Sequence, residues 1–157
     1  MNNIQKNMDF RMELLKWKHD VLLYLDAGTK FLNLLLKALH SEYSKEALNI
    51  KKTEEMLWLQ IYLRYAEIYY ERIALSDNFA EELYHVLHDK PESSERKQKK
   101  LDTDICAVCG RKGPIHAHHL IPVVYGGSSE EYNLIPVCPD CHRYDPFEYI
   151  FTHWMDK

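Results

Sequence analysis

The protein has 157 residues, a formal net charge of −4 at pH 7, and 46% hydrophobic residues with 12% aromatics. This length fits one domain or two small ones, and the composition predicts a folded chain. No apolar run is long enough to span a membrane, and the N-terminal MNNIQKNMDF lacks the apolar stretch of a signal peptide. We therefore expect a soluble, cytoplasmic protein with no membrane association. Its overall charge does not by itself indicate nucleic-acid binding.

Residues 1–89 predict a long helical hairpin. Apolar residues recur at alternating steps of four and three up to Ala38, and the pattern resumes from Thr53. The second pattern keeps one register to about His88 across residues 76–78, so one long helix and a helix kinked there are both open. Because the apolar surface is wide, such helices pack on more than one side. We expect this half to oligomerise or to dock a protein partner.

Residues 90–101 (KPESSERKQKKL) are predicted to be a charged linker. Pro91 ends the helical pattern, and the polar residues that follow give no sign of a regular element. The dense basic cluster of the sequence lies here, at Arg96, Lys97, Lys99 and Lys100. Two interpretations of the cluster stay open. It is either a solvated linker or a segment that contacts a phosphate backbone.

All four cysteines lie in two C-x-x-C pairs. Cys106 and Cys109 form the first pair, and Cys138 and Cys141 repeat the spacing after 28 intervening residues. Four thiolates in two such knuckles give the tetrahedral geometry that Zn²⁺ prefers. Two disulfides or four buried thiols are the alternatives, but disulfides require an oxidising compartment, of which the N-terminus gives no sign. We expect a structural zinc that stabilises the fold and leaves the chemistry to other residues.

The chemistry is expected from histidines that lie between and after the cysteine pairs. His118 and His119 are adjacent, so on a strand they point to opposite faces. One of them can then bind a metal while the other stays free as a base. His142 follows the last cysteine directly, at the start of a predicted helix, where it can be a further ligand.

This segment resembles the HNH, or ββα-metal, nucleases of the type that carries a zinc ribbon with two C-x-x-C knuckles. The resemblance is carried by A-H-H-L-I-P, then G-G, then N-L-x-x-x-C-x-x-C-H, together with the four cysteines, over about residues 102–151. It implies a protein that is mainly α with a small α+β domain. The N-terminal helical hairpin at residues 1–89 would be followed by a zinc-stapled ββα-metal nuclease domain at residues 102–157.

The resemblance also implies a role for individual residues. His118 and His142 would bind a catalytic divalent cation, Mg²⁺ or another. His119 would be the general base that activates water, and Asn133 would hold that base in position. An imidazole, with a pKa near about 6.5, accepts a proton from water at neutral pH, and the expected products carry 5′-phosphate and 3′-hydroxyl ends. Arg143 is a candidate phosphate contact, with a surface salt bridge as the alternative.

One position departs from the family pattern. Members with three histidine ligands place the last one four residues beyond His142, where this chain has Pro146, and Asp145 is the nearest carboxylate. Two protein ligands with water and phosphate suit Mg²⁺. The resemblance implies a metal-dependent DNA endonuclease, in a phage, mobile-element or defence setting, with RNA as an alternative substrate. The alternative function is an inactive zinc-stapled nucleic-acid-binding or adaptor protein whose helical half binds a protein partner.

Overall fold

A computed structural model describes residues 2–43, 50–89, 91–145 and 147. The helices are α1 (Asn3–Tyr43), α2 (Ile50–Leu75), α3 (Asp77–Asp89) and the short α4 (Pro139–His142). Two strands, β1 (His116–His119) and β2 (Leu134–Val137), precede α4. The prediction of a mainly helical protein with a small ββα unit after the N-terminal helices is confirmed. Pro146 and the part of the predicted nuclease domain beyond residue 147 lie outside the described residues.

The second helical pattern is divided into two helices at Ser76, which is the kinked alternative. The Ser76 hydroxyl accepts a hydrogen bond from the Phe79 N–H at 3.2 Å and so caps the start of α3. Asp77 lies in the first turn of α3, where the helix dipole favours a negative charge. Within the described residues, α1 packs along α2, and after the break α3 continues along α1: Asp77 at its start pairs with Lys18, and the ring of His85 near its end stacks on Phe10. None of these helices is both long and apolar enough to cross a lipid bilayer.

The two strands pair as an antiparallel hairpin that carries the histidine doublet. His118 lies opposite Ile135, and His119 lies opposite Leu134. After His119 the chain leaves the sheet in a loop, and this loop returns at Asn133 to start β2. The first residues of the loop, Leu120 and Ile121, are fully buried, so the apolar side chains that follow the doublet anchor the loop in the core.

The helical half and the C-terminal segment share one hydrophobic core. It joins residues of α2 and α3 to residues of the strands, the loop and the cysteine knuckles: Tyr65, Tyr69, Phe79, Leu120, Ile121, Ile135, Val137 and Cys141. Burial of this continuous apolar surface is the main stabilising contribution to such an arrangement. The ββα unit therefore shares its hydrophobic core with the helical half.

Side chains of α2 also donate hydrogen bonds to the backbone of the C-terminal segment. The Tyr65 hydroxyl donates to the carbonyl of Cys141 at 2.6 Å, and the Tyr69 hydroxyl donates to the carbonyl of Leu120. The guanidinium group of Arg64 donates to the carbonyl of Ala107 at 3.0 Å. The guanidinium group of Arg72 donates to the carbonyls of Tyr132 at 3.0 Å and Leu134 at 3.2 Å. These bonds fix the strands and α4 against α2.

Residues 91–100, which we call the strap, have no regular secondary structure and lie across the loop between the strands. The Ser94 N–H donates to the Val123 carbonyl at 2.9 Å, and the Ser94 hydroxyl donates to the Gly126 carbonyl at 3.0 Å. Gly126 has a φ of +105°, and a Cβ there would lie 2.6 Å from Cγ of Pro91. The predicted linker is thus bound to the surface that it follows.

Candidate functional site

The four cysteines form a candidate metal site. Their Sγ atoms all lie within 4.8 Å of one another, the thiols are free, and Sγ of Cys109 lies 3.8 Å from Sγ of Cys138. Backbone N–H groups point at the sulfurs: the Cys109 N–H lies 3.5 Å from Sγ of Cys106, and the Cys141 N–H lies 3.5 Å from Sγ of Cys138. The structure thus brings together the four cysteines that the sequence paired.

Without a cation, the four cysteines cannot all be ionised. Burial opposes ionisation of Cys106, but hydrogen bonds from the backbone of Cys109, Cys138 and Val108 outweigh it and lower the pKa to about 7. Burial raises the pKa of Cys141, and its contacts with Cys138 and Cys106 raise the pKa further. Because each thiolate opposes ionisation of its neighbours, several of them coexist in such a site only when a cation neutralises them.

A second cluster is formed by His118 and His142, the two predicted ligands of a catalytic cation. Their ring centroids lie 4.7 Å apart in an edge-to-face arrangement. Nε2 of His118 is 2.7 Å from Oδ2 of Asp145, and both side chains are buried. His116 lies at the edge of the cluster, with its ring centroid 5.9 Å from that of His142. The structure therefore adds a carboxylate to the two imidazoles.

Helix α2 supports this second cluster from behind. The Tyr69 hydroxyl lies 3.4 Å from Oδ2 of Asp145, and the Phe147 N–H donates to Oδ1 at 2.8 Å. The Tyr65 ring packs edge-on against the ring of His118, with centroids 6.1 Å apart. These contacts hold both Asp145 and His118 in one orientation. The sequence did not predict them, since nothing in the periodicity of α2 distinguishes a tyrosine that packs in a core from one that supports a site.

His119, the predicted general base, lies beside the loop between the strands. Its Nε2 is 2.9 Å from the hydroxyl of Ser129, and that hydroxyl also accepts the Lys97 N–H at 3.1 Å. In the tautomer in which Nε2 carries the proton and donates it to Ser129, Nδ1 keeps a free lone pair. Ser129 is a residue that sequence reasoning missed, because a serine ten positions away gives no signal of this contact.

Asn133 contacts the loop and not the imidazole of His119. Its Oδ1 accepts the Ile121 N–H at 2.8 Å, while its Nδ2 donates to the carbonyls of Ile121 at 3.0 Å and Ser128 at 2.7 Å. The side chain is fully buried, so these three bonds determine the shape of the loop. Because Ser128 precedes Ser129, the bonds of Asn133 reach the part of the loop that contacts His119.

Burial and neighbouring charges keep two of the imidazoles neutral. Burial lowers the pKa of His119, and the charges of Arg96 and His118 lower it further. Burial also lowers the pKa of His142, with contributions of the same sign from His118 and His116. Both rings are therefore mainly unprotonated at neutral pH. A neutral imidazole is the form that binds a metal ion or accepts a proton.

The histidines and the strap line the same open cleft. The cleft has a volume of about 590 Å³. Its polar lining includes Arg96, Lys97, Lys99, His118, His119 and His142. Arg143 is not among the lining residues, and its guanidinium pairs with the Asp140 carboxylate at 2.8 Å. For Arg143 the structure thus has the surface salt bridge that was the alternative to a phosphate contact.

Comparison with known families identifies the class of this segment. Residues 106–144 match the HNH endonuclease family, and this range includes both cysteine pairs, the histidine doublet, Asn133 and His142. This segment therefore resembles the HNH endonucleases of the type with two C-x-x-C knuckles.

Two curated proteins are similar to parts of the chain. Anaredoxin from Nostoc sp. (strain PCC 7120) is 36% identical over 50 residues, which are 31% of this chain and 66% of that protein. The type IV methyl-directed restriction enzyme EcoKMcrA from Escherichia coli (strain K12) is 32% identical over 76 residues, and the match covers 34% of this chain and 27% of that protein. The chain thus spans less than two thirds of either relative. No solved structure matches the chain.

Proposed function

We propose that the protein is a metal-dependent HNH endonuclease that hydrolyses DNA phosphodiester bonds. The observation that carries the proposal is the cleft, which is lined both by His118, His119 and His142 and by the cations of the strap. A neutral base, a pair of potential metal ligands and local positive charge are what hydrolysis of a phosphodiester requires. DNA is the proposed substrate because EcoKMcrA is a restriction enzyme, and we infer a defence role on the same ground.

We propose that the four-cysteine site holds a structural Zn²⁺. Four thiolates at a Zn–S distance of about 2.3 Å have sulfur–sulfur separations of about 3.8 Å in a tetrahedron. The separation between Sγ of Cys109 and Sγ of Cys138 is 3.8 Å, and all four Sγ atoms lie within 4.8 Å of one another, so the four residues are close enough together to bind one zinc ion. With all four positions filled by protein, such a site stabilises the fold and leaves no open position for substrate.

We propose that His118 and His142 hold the catalytic cation, Mg²⁺ or another divalent ion. Asp145 is buried and is not among the residues that line the cleft, so its proposed role is to orient the His118 ring through Nε2. A carboxylate on the far side of a ligating imidazole fixes the ring and raises its basicity. When bound, the cation would neutralise charge on the phosphate and on the leaving oxygen.

In the proposed reaction, His119 removes a proton from the attacking water. Nδ1 of His119 is the nitrogen with a lone pair when Nε2–H donates to Ser129. The lowered pKa of His119 keeps that lone pair available at neutral pH. Attack of this water on phosphorus in line with the P–O3′ bond would break that bond, and the 3′ oxygen would leave and take up a proton, which gives 5′-phosphate and 3′-hydroxyl ends. Asn133 and Ser129 keep the base in position through the loop.

Cleavage of supercoiled plasmid by the purified protein tests the proposal. We expect nicked or linear DNA with Mg²⁺, Mn²⁺ or Ni²⁺, no cleavage with EDTA, and loss of cleavage in His119→Ala. The matched control is His85→Ala, which removes an exposed imidazole that pairs with residues of α3 and should leave cleavage unchanged. Cleavage of RNA but not of DNA would show that RNA is the substrate. A folded, zinc-loaded protein that is inert with every metal would favour the adaptor function.

We also propose that the helical half docks a second protomer or a protein partner, as its wide apolar surface predicts. Large apolar side chains of α1 are exposed, among them Met8, Met12, Leu15, Phe31 and Leu34, and exposed apolar patches of this kind are typical of interaction surfaces. Light scattering of the full chain is the measurement. A wild-type mass above that of one chain, which falls to that of one chain in Met12→Glu/Leu15→Glu, would identify a homo-oligomer. A monomeric wild type would leave docking of a different protein as the remaining function of this surface.

A further inference from the structure

We propose that the strap is a phosphate-binding wall of the cleft, which holds the nucleic-acid backbone against the HNH histidines. This inference rests on the proposed nuclease function and specifies how an acidic chain binds an acidic substrate. The protein has a net charge of −4, so attraction to a polyanion must come from a local surface. The strap contributes four of its cations, Arg96, Lys97, Lys99 and Lys100, against only two carboxylates.

The strap is held in place by its backbone, which leaves its basic side chains free to bind. Ser94 and Lys97 make the anchoring bonds: the Ser94 N–H to Val123, the Ser94 hydroxyl to Gly126, and the Lys97 N–H to the Ser129 hydroxyl. None of these bonds uses a basic side chain. The geometry is that of an ordered segment that presents cations, so less conformational entropy is lost when it binds.

The cations of the strap have no competing partner among the described residues. No carboxylate within the described ranges lies within 4.0 Å of the charged groups of Arg96, Lys97, Lys99 or Lys100, whereas Arg111, Lys112 and Arg143 each form such a pair. The four side chains are also exposed. Binding a phosphate there would therefore require no ion pair to be broken, which distinguishes the strap from the other basic residues of the C-terminal segment.

The strap is also directly connected to the proposed base. The Ser129 hydroxyl contacts both the Lys97 N–H and Nε2 of His119. Arg96 lines the same cleft as His119 and His142. A phosphate bound to the strap would therefore lie in the cleft that holds the residues proposed to act on the scissile bond. Phosphate contacts of this kind fix the position of the nucleic-acid backbone relative to the catalytic residues.

Binding of a fluorescein-labelled DNA duplex, measured by anisotropy over a KCl series, tests the inference. All proteins carry His119→Ala, so that the duplex stays intact. The test variant is Lys97→Gln/Lys99→Gln/Lys100→Gln, and the control is Lys6→Gln/Lys16→Gln/Lys37→Gln, which removes the same charge from exposed positions of α1. Since each lost phosphate contact reduces the slope of log K against log salt by about 0.9, we expect the test variant to lose about 2 to 3 in slope and about tenfold or more in affinity. The control should bind within about twofold of its parent.

The outcomes separate the strap from the nuclease. Test and control variants that bind alike, or a parent that does not bind the duplex at all, would overturn the inference. If the wild type cleaves plasmid while the test variant binds like the control, the nuclease function stands and the strap proposal fails. If strap-dependent binding is found but no metal supports cleavage, the strap proposal stands as a polyanion site and the catalytic proposal fails. Circular dichroism of the variants confirms that the substitutions leave the fold intact.

Discussion

Nε2 of His118 lies 2.7 Å from Oδ2 of Asp145, and the two side chains are only 6% and 1% exposed. A buried carboxylate behind an imidazole sets which ring nitrogen faces the cleft and how the ring is oriented. The Tyr69 hydroxyl lies 3.4 Å from the same carboxylate oxygen. Through this one carboxylate, helix α2 contributes to a candidate metal site that is otherwise built from the sheet and α4.

We expect Asp145→Asn to weaken divalent-cation binding about 10-fold to 100-fold, which is the usual effect of losing such a partner. Titration calorimetry with Mn²⁺ on the zinc-loaded protein is the measurement, because it reads binding without requiring cleavage. Asp140→Asn is the matched control, since Asp140 is an exposed acid of α4 that pairs with arginines. An Asp145→Asn protein that binds Mn²⁺ as tightly as the wild type would show that the carboxylate has only a structural role.

We expect Ser129→Ala to lower kcat, and to raise KM as well because the strap loses one of its anchoring bonds. The substitution removes the contact to Nε2 of His119 and leaves the Lys97 N–H without its acceptor, so the base is less well held. A loss of about tenfold in kcat corresponds to about 1.4 kcal/mol, within the range of one hydrogen bond. Ser128→Ala is the control, since its backbone carbonyl, which binds Asn133, is retained.

Ser129→Thr restores the hydroxyl and should recover most of the lost rate. Equal kcat values for Ser129→Ala and the wild type would contradict a role of Ser129 in positioning the base. A fall in kcat that the threonine fails to restore, accompanied by a similar fall for Ser128→Ala, would indicate a general disturbance of the loop.

We expect Gly127→Ala to destabilise the fold, by about 1–3 kcal/mol or more. A Cβ at Gly127 would lie 1.8 Å from the carbonyl oxygen of Ile121, and this backbone cannot move without disturbing the bonds to Asn133. Gly28→Ala is the opposite case: a Cβ on this helical glycine meets nothing within 4 Å, so stability should rise by about 0.5–1 kcal/mol. Urea denaturation of both variants is the measurement, and equal midpoints would contradict the close approach at Gly127.

We expect one tightly bound zinc ion per chain, and a lower melting temperature when it is removed. Metal binding to the folded thiolate cluster stabilises the native state by mass action, so dialysis against a strong chelator should lower Tm. Cys138→Ser should lower Tm in the same way, because one of the four ligands is lost. Elemental analysis gives the stoichiometry, and a metal-free protein with an unchanged Tm would rule out a structural role for the ion.

The features that depend on short sequence spacings were predictable, and those that depend on tertiary contacts were not. The cysteine pairs and the histidine doublet indicate their own geometry, because a knuckle and a strand are local structures. The contacts of Asp145 with Tyr69 and of Ser129 with His119 join separate elements, and no periodicity encodes them. The sequence left both one continuous helix and a helix broken at Ser76 possible, for a related reason. The apolar register continues through Ser76, whereas the hydrogen bond that caps α3 depends on the local backbone.

The bonds from Arg64, Tyr65, Tyr69 and Arg72 of α2 end on main-chain carbonyls of the C-terminal segment. Carbonyl acceptors are present whatever side chain a residue carries, so this contact constrains the path of the HNH backbone and hardly constrains its sequence. A truncation that begins after residue 90 would leave these carbonyls without donors and would uncover the apolar face of the sheet. A graft that moves this HNH unit to another protein would therefore have to include α2, so the smallest transferable unit is larger than the family motif.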